Sequence, residues 1–359
     1  MIYYYILLFF SASMLIFDFV KDRYIQVVFF SFQGLVLTLF TGLRTIGVDN
    51  DSLNYWDAFQ LAAGVPWTEI WAGNYPSSIE RGYMLLNKLV YVAGADIRTV
   101  FMTMAVATGL VNYSLIFKKS PFPFTSLLIY VGFFFFYRDF TQIRYALSAG
   151  IGVWAIFLFL ERRYWYALLL TVIFSFIHSA IWVVLLFVLS FVVIRNRFVY
   201  FALPVLGLVL GFFDPIILIF NFVGLPDTLT RYVLENEFGR GGYAISAIAQ
   251  LVMVGFLLFW NALLANYPKR IVEGLFIAIS IGSFINLLFI SFSIMQRLSS
   301  LLFGLVIFAL PYLFKAVESQ ISEKEQLLTT FMRWVFCLFA LYYGIMMIHP
   351  DILQPYRIL

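Results

Sequence analysis

Apolar stretches separated by short polar breaks fill the chain from end to end, the pattern of an all-α polytopic membrane protein solvated by lipid along most of its length. Basic residues mark cytoplasmic loops, so Lys21 and Arg23, Lys118 and Lys119, Arg162 and Arg163, Arg195 and Arg197, Lys269 and Arg270, and Lys315 and Lys324 are sided inside and the N-terminus outside. Twelve crossings follow, at about residues 2–17, 25–43, 97–117, 124–137, 145–160, 164–177, 180–194, 198–213, 243–265, 271–290, 298–314 and 331–348. The even number returns the C-terminus to the outside. The first stretch has no basic residue before it and no small-residue cleavage pattern after it, so it reads as a spanning helix.

Several crossings hold fewer than the roughly 20 residues that a lipid-facing helix needs. They belong inside the bundle or end in a water-filled cavity, and the polar residues around 124–194 predict a cavity open to the outside. Two longer outer segments remain, residues 44–96 and 214–242. Within the first, residues 82–93 form an amphipathic stretch too short to span, expected to lie at the outer interface. With no internal repeat or linker, residues 1–359 read as a single domain.

Composition narrows the chemistry. Hydrophobic residues make up 63% of the chain and charged ones 12%, against roughly 25% charged in soluble domains, which excludes a soluble protein. The lone Cys337 allows no intrachain disulfide and no thiolate cluster, and two histidines, His178 and His349, cannot build a His-rich metal site. No cofactor is expected. A net charge of +4, with the charges scattered between apolar stretches, makes nucleic acid an improper partner.

The charges that remain are unevenly placed. By the siding above, the outside carries Arg44, Arg81, Arg98, Arg138, Arg144, Arg231, Arg240, Arg297 and Arg357 but only one lysine, Lys88. Topology disfavours basic residues on that face, so the guanidinium groups need a partner. Their planar fork suits phosphate, although single arginines also cap helix ends or reach lipid headgroups.

In residues 44–55, Gly47 suits a tight turn, Asp51 or Ser52 an N-cap, and residues 53–61 a short helix. Asp49 and Asp51 have the D-x-D spacing of metal-dependent nucleotide-sugar transferases, but capping accounts for Asp51 and Arg44 can neutralise Asp49, so no metal is expected. Glu80 is either a carboxylate at a helix N-terminus or a catalytic base. Arg138, Asp139, Gln142 and Arg144 occupy one turn, where two arginines at bilayer depth need carboxylates or a ligand. His178 is a structural hydrogen-bonding residue or an acid, base or phosphate donor. Arg231, Glu235, Glu237 and Arg240 precede Gly241-Gly242 in a loop able to close over a substrate, and Gln296 and Arg297 lie between the tenth and eleventh crossings. Tyr55, Trp56, Trp67, Trp71 and Tyr75 crowd the first outer segment as sugar-stacking rings or as an interfacial aromatic belt.

The run from Arg44 through Gly47 and Asp49 to Tyr55 resembles a signature near the start of EpsG-like proteins, within the broad Wzy class of O-antigen, exopolysaccharide and capsule polymerases. Glu80-Arg81-Gly82-Tyr83-Met84-Leu85-Leu86-Asn87, Gln142-Ile143-Arg144-Tyr145-Ala146-Leu147-Ser148 and Phe176-Ile177-His178-Ser179-Ala180 are similar to three further blocks in the same order. The resemblance covers roughly residues 40–185 and departs from the family pattern at Val48, often Thr, and at Arg81, often small or Pro.

The resemblance implies a GT-C-like, metal-independent membrane glycosyltransferase at the outer face of the bacterial cytoplasmic membrane. Its substrate would be undecaprenyl-pyrophosphate-linked oligosaccharide, with the growing glycan passed to the non-reducing end of the next unit. Membrane lipids, a chain-length regulator and a flippase would be its partners. The catalytic set is then expected among His178, Glu80, Asp49, Arg44 and Arg144. Arg138, Gln142, Arg297, Arg231, Arg240, Tyr55, Arg81 and Gln296 are expected to bind substrate. The alternatives are a transporter or flippase of lipid-linked glycan, which should show repeated halves, and a membrane acyltransferase, which usually places its key histidine earlier in the chain.

Overall fold

The computed structural model describes residues 1–194, 196–213, 243–290, 293–322 and 325–357, with backbone alone for residues 243, 244 and 293–296. In chain order the α-helices are α1 (Ile2–Ser13), α2 (Arg23–Gly42), α3 (Ser52–Gly64), α4 (Trp67–Ala72), α5 (Arg81–Val92), α6 (Ile97–Lys119), α7 (Pro123–Tyr130), α8 (Ile143–Leu160), α9 (Tyr164–Ser175), α10 (Val183–Val193), α11 (Arg197–Gly211), α12 (Tyr243–Leu258), α13 (Trp260–Asn266), α14 (Lys269–Leu288), α15 (Ser293–Phe303), α16 (Val306–Glu318) and α17 (Gln326–Met347). A π-helical stretch, Val131–Asp139, continues α7. Among the described residues the sole β-type contact is an isolated bridge between Asp49 and Leu353. A lipid-solvated backbone has no water to satisfy its amides, and helices satisfy them internally.

All twelve apolar stretches are helical. Among the described residues, however, seven helices are long and apolar enough to cross a membrane, or eight when α12 and α13, bent by 77°, are taken as one span. The expectation of twelve full crossings therefore exceeds what helix length supports: α9, α10 with its preceding turn, and α11 are shorter apolar helices. The protein is a multi-pass membrane protein.

The chain divides into two compact units, Met1–Trp154 with Val172–Ser179 and Ile321–Leu359, and Ala155–Thr171 with Ala180–Gln320. In the former, residues sided alike from their charges gather at the same end. At one end Asp18 accepts from the amides of Phe124 (3.0 Å) and Thr125 (2.8 Å), capping α7 from a different segment, and Arg23 Nη2 donates to the Phe117 carbonyl at 3.1 Å. Arg333 lies there too, its guanidinium over the rings of Phe19 and Phe122.

At the other end the C-terminal tail folds over the loop after α2. The Gln354 amide donates to the Val48 carbonyl at 2.8 Å and the Thr45 amide to the Arg357 carbonyl at 3.2 Å. Tyr4 and Tyr356 donate to the carbonyls of Gln354 and Phe40, each at 2.9 Å, within an aromatic cluster that includes Phe40, Phe136 and Phe140.

In the unit built around α14, that helix is the buried centre, with 83% of its apolar window covered, whereas α17 of the other unit is 22% covered and turns Leu327, Leu328, Phe331 and Leu338 outward as lipid-facing residues do. A cavity of about 1050 Å³ opens in the α14 unit beside Arg197, Lys269 and Arg270. Its lining also includes Phe159, Tyr164, Phe191, Val192 and Ile194, within the stretch around which a cavity is expected, while its basic residues are ones the sequence sides inside. It forms where α10 stops at Val193 and α11 begins at Arg197, leaving volume unfilled at the ends of short helices.

The π-helical stretch packs on α17 with a contact only glycine permits. A Cβ on Gly132 would sit 2.2 Å from the Ala340 carbonyl oxygen, and Gly344 of α17 approaches Gly132 in return, the small-residue packing by which membrane helices come close. Gly132→Ala should therefore destabilise the detergent-solubilised protein by about 1–3 kcal/mol, read as a fall in Tm. Gly64→Ala, with nothing within 4 Å of the added Cβ, should leave Tm unchanged.

Candidate functional site

The loop that follows α2 is built around an ion pair. Arg44 Nε donates to Asp49 Oδ2 at 2.8 Å and Nη1 to the Thr41 carbonyl at 2.7 Å, with both charged side chains at 0% exposure. The guanidinium lies over Phe101 and Phe140 at 4.5 and 5.0 Å, and its Nη2 makes no hydrogen bond. Asp49 Oδ1 accepts from the Asp51 amide at 3.1 Å, and Gly47, at φ +84°, turns the chain so that its amide reaches Ser52 Oγ at 2.8 Å. Asp51 occupies the N-cap position of α3, one of the two positions expected there, but its side chain makes no cap hydrogen bond to the helix. The pairing of Asp49 with Arg44 means the D-x-D spacing does not present two uncommitted carboxylates.

Glu80, at the N-cap of α5, joins segments distant in sequence. One carboxylate oxygen, Oε2, accepts from Arg144 Nη1 at the start of α8; the other, Oε1, accepts from the Ser179 amide at 3.0 Å and its hydroxyl at 3.3 Å. His178 Nδ1 lies 3.9 Å from the same oxygen, and its ring meets Tyr145 edge-on at 5.5 Å. The three side chains Glu80, Arg144 and His178 are 18%, 18% and 16% exposed, shielded yet reachable.

Backbone geometry fixes this meeting. The Gly82 amide donates to the Phe176 carbonyl at 2.7 Å, and a Cβ on Gly82 would fall 2.6 Å from that oxygen. Arg144 is also hydrogen-bonded to Tyr55 and lies over the rings of Tyr55 and Tyr83, 5.8 and 5.6 Å from their centres. Burial holds both phenols well above their ordinary pKa, so both stay neutral.

Arg138 is 2% exposed, with Nε 3.8 Å from Asp139 Oδ1; neither Nε nor Nη1 makes a hydrogen bond. Asp139 instead accepts from the Tyr130 hydroxyl at 2.6 Å, which in turn accepts from Asn112 Nδ2 at 2.6 Å. Tyr145 is an electrostatic neighbour of Arg138 as well as the ring beside His178, linking the two. Gln142, 4% exposed, has Oε1 without a partner, and Arg144 Nε is likewise unpartnered. Buried polar groups are seldom left so, and this concentration of guanidinium N–H groups is chemically suited to an anion.

Arg44, Asp49, Tyr55, Glu80, Arg138, Gln142, Arg144 and His178 thus belong to the same unit. Arg81 is exposed and reaches the Trp71 carbonyl at 3.3 Å beside Gly73, so it organises the short segment after α4. Arg297 is half-buried near the start of α15 in the α14 unit. The side chain of Gln296, and all of Arg231 and Arg240, lie outside the described residues. Ser179, Tyr83 and Tyr145 stand within the recognised blocks yet carry no individual signal; only the fold gives them partners. The C-terminal tail has no sequence mark of its role at all.

Removing one member of the Arg44–Asp49 pair strands the other in an apolar site. Arg44→Ala should cost about 3–5 kcal/mol of stability, while Arg44→Met combined with Asp49→Leu should cost clearly less. Thermal unfolding in detergent distinguishes the two; equal losses would show that the charges do not depend on each other.

No curated protein and no solved structure matches the chain. A family model does: that of the EpsG family matches residues 27–358, extending through the second half of the chain, where the sequence blocks alone gave little. The match and the multi-pass helical architecture agree, and the chain belongs to the EpsG family of membrane polysaccharide polymerases.

Proposed function

We propose that this polymerase elongates undecaprenyl-pyrophosphate-linked oligosaccharide as a single GT-C-like domain at the outer face of the cytoplasmic membrane. The anomeric C–O bond to the lipid pyrophosphate of the growing glycan breaks, and the acceptor hydroxyl at the non-reducing end of the next unit forms the new glycosidic bond. His178 takes the hydroxyl proton, and undecaprenyl pyrophosphate leaves as the anion. Glu80 holds Arg144 through Oε2, and its Oε1 places negative charge 3.9 Å from His178 Nδ1, where it favours the imidazolium that forms. The observation that carries the reading is that Glu80, Arg144 and His178, from three separate sequence blocks, meet in one partly exposed cluster.

Arg144 and Arg138 supply the charge that a departing diphosphate needs, and a guanidinium already in place pays no reorganisation penalty when that charge develops. Tyr55 and Gln142 complete the polar wall, while Arg44 with Asp49 holds the loop that carries α3. Arg81, Arg297, Gln296, Arg231 and Arg240 are assigned to substrate binding on the arginine asymmetry of the outer face. The mechanism asks for no metal and no nucleotide sugar, and a chain-length regulator and a flippase are its working partners.

Purified protein given lipid-linked repeat units should build long glycans without added nucleotide sugar and with activity unchanged by EDTA. Arg144→Ala should lower the rate by about 10²–10³-fold, and His178→Ala by about 10²–10⁴-fold, both in protein that still elutes as a folded species. Full polymerisation by either variant would overturn the site assignment, and strict dependence on a divalent cation would overturn the mechanism.

A further inference from the structure

The α14 unit holds a feature that polymerisation as proposed does not use. Its cavity of about 1050 Å³ has Arg197, Lys269 and Arg270 around it against a single carboxylate, Glu273. Glu273 sits 3.5 Å from Lys269, whose side chain is 71% exposed. Arg270 is fixed in the wall: Nε and Nη2 donate to the carbonyls of Leu160 (3.1 Å) and Phe159 (3.2 Å) at the end of α8, and the guanidinium lies over Phe159 and Phe191. Those bonds satisfy donors without neutralising charge. Arg197 is exposed and rests 5.3 Å from the Trp260 ring, with no carboxylate partner among the described residues.

The cavity therefore combines an excess of positive charge at its mouth with an aromatic interior. The wall offers the rings of Phe159, Phe191 and Phe276, which cannot hydrogen-bond, and of Trp260, which has a single N–H donor; of the polar lining residues Tyr164, Asn196 and Tyr200, the Tyr200 hydroxyl is already committed to the Ser190 and Ile194 carbonyls. Two residues of the lining, Val192 and Phe198, are 59% and 61% exposed, as expected of surface that meets acyl chains. An amphiphile with an anionic head and an apolar tail matches both halves. Free phosphate would satisfy only the mouth, and a neutral lipid only the interior.

We propose that this cavity binds an anionic phospholipid, its phosphate held by Arg197 and Lys269 and its acyl chain lying along the aromatic wall. Basic pockets between membrane helices on the positively charged side take such headgroups. The cations lie on the side assigned to the cytoplasm from their own loops.

Native mass spectrometry of the full chain in detergent, titrated separately with phosphatidylglycerol, phosphatidylcholine and inorganic phosphate, tests the proposal. Phosphatidylglycerol should bind at least about tenfold more tightly than phosphatidylcholine, and inorganic phosphate at equal concentration should not displace it. Arg197→Ala with Lys269→Ala should weaken phosphatidylglycerol about tenfold or more, from two lost contacts; Arg197→Lys with Lys269→Arg should restore it.

Brominated phosphatidylglycerol locates the lipid independently. It should quench tryptophan fluorescence by an increment that disappears in Trp260→Phe, and this readout uses charge-intact protein should the double alanine variant not fold. Equal affinity for phosphatidylcholine, displacement by phosphate, or an unchanged quenching increment in Trp260→Phe would each overturn the proposal.

Discussion

A charge in an apolar medium must be paired or aimed at a ligand, and the Glu80 carboxylate shows how much architecture that requirement can organise. Its two oxygens are claimed by the start of α8 and by the turn after α9, so satisfying a single carboxylate brings together residues 80, 144 and 179. The contact of Gly82 with the Phe176 carbonyl sets the approach distance, and without a side chain at Gly82 the carboxylate can reach its partners. Packing and electrostatics act here on the same few ångströms.

The buried arginines divide by how fully they are satisfied. Arg44 has a carboxylate, a carbonyl and two aromatic faces, and so fixes a loop rather than offering its charge. Arg138 sits beside Asp139, but that carboxylate accepts from Tyr130, and two guanidinium nitrogens are left without hydrogen bonds. Arg144 is intermediate, paired to Glu80 and Tyr55 with one nitrogen unpartnered. The order runs from structural anchor to donors suited to a negatively charged leaving group, and the proposed mechanism assigns roles along it. Residue type alone would have treated the three alike.

The same principle operates where no catalysis is proposed. Asp18 caps α7 although it lies about a hundred positions earlier in the chain, with Arg333 of α17 as an electrostatic neighbour. The tail after α17 supplies backbone partners to the loop after α2, and Tyr4 and Tyr356 seal that contact with hydroxyl groups directed at carbonyls. Contacts between segments far apart in the chain thereby close one end of the unit.

Local sequence pattern was enough for the helical membrane character, the location of nearly every helix, the short helix after Asp51, a helix near residues 82–93 and the residue blocks that meet around Glu80. These are local properties: hydropathy, capping chemistry and the spacing of a few charged residues. The pattern reads as twelve crossings where seven or eight of the described helices are long and apolar enough to span, because an apolar run reports burial in lipid or protein alike and says nothing about whether its helix continues far enough to span. Tertiary structure alone decided that Glu80 meets Arg144 and Ser179 and that the C-terminal tail closes over residues 44–50. Each depends on contacts between residues far apart along the chain, whose geometry is set by how closely helices pack and which buried charge reaches which partner, and no local pattern encodes either.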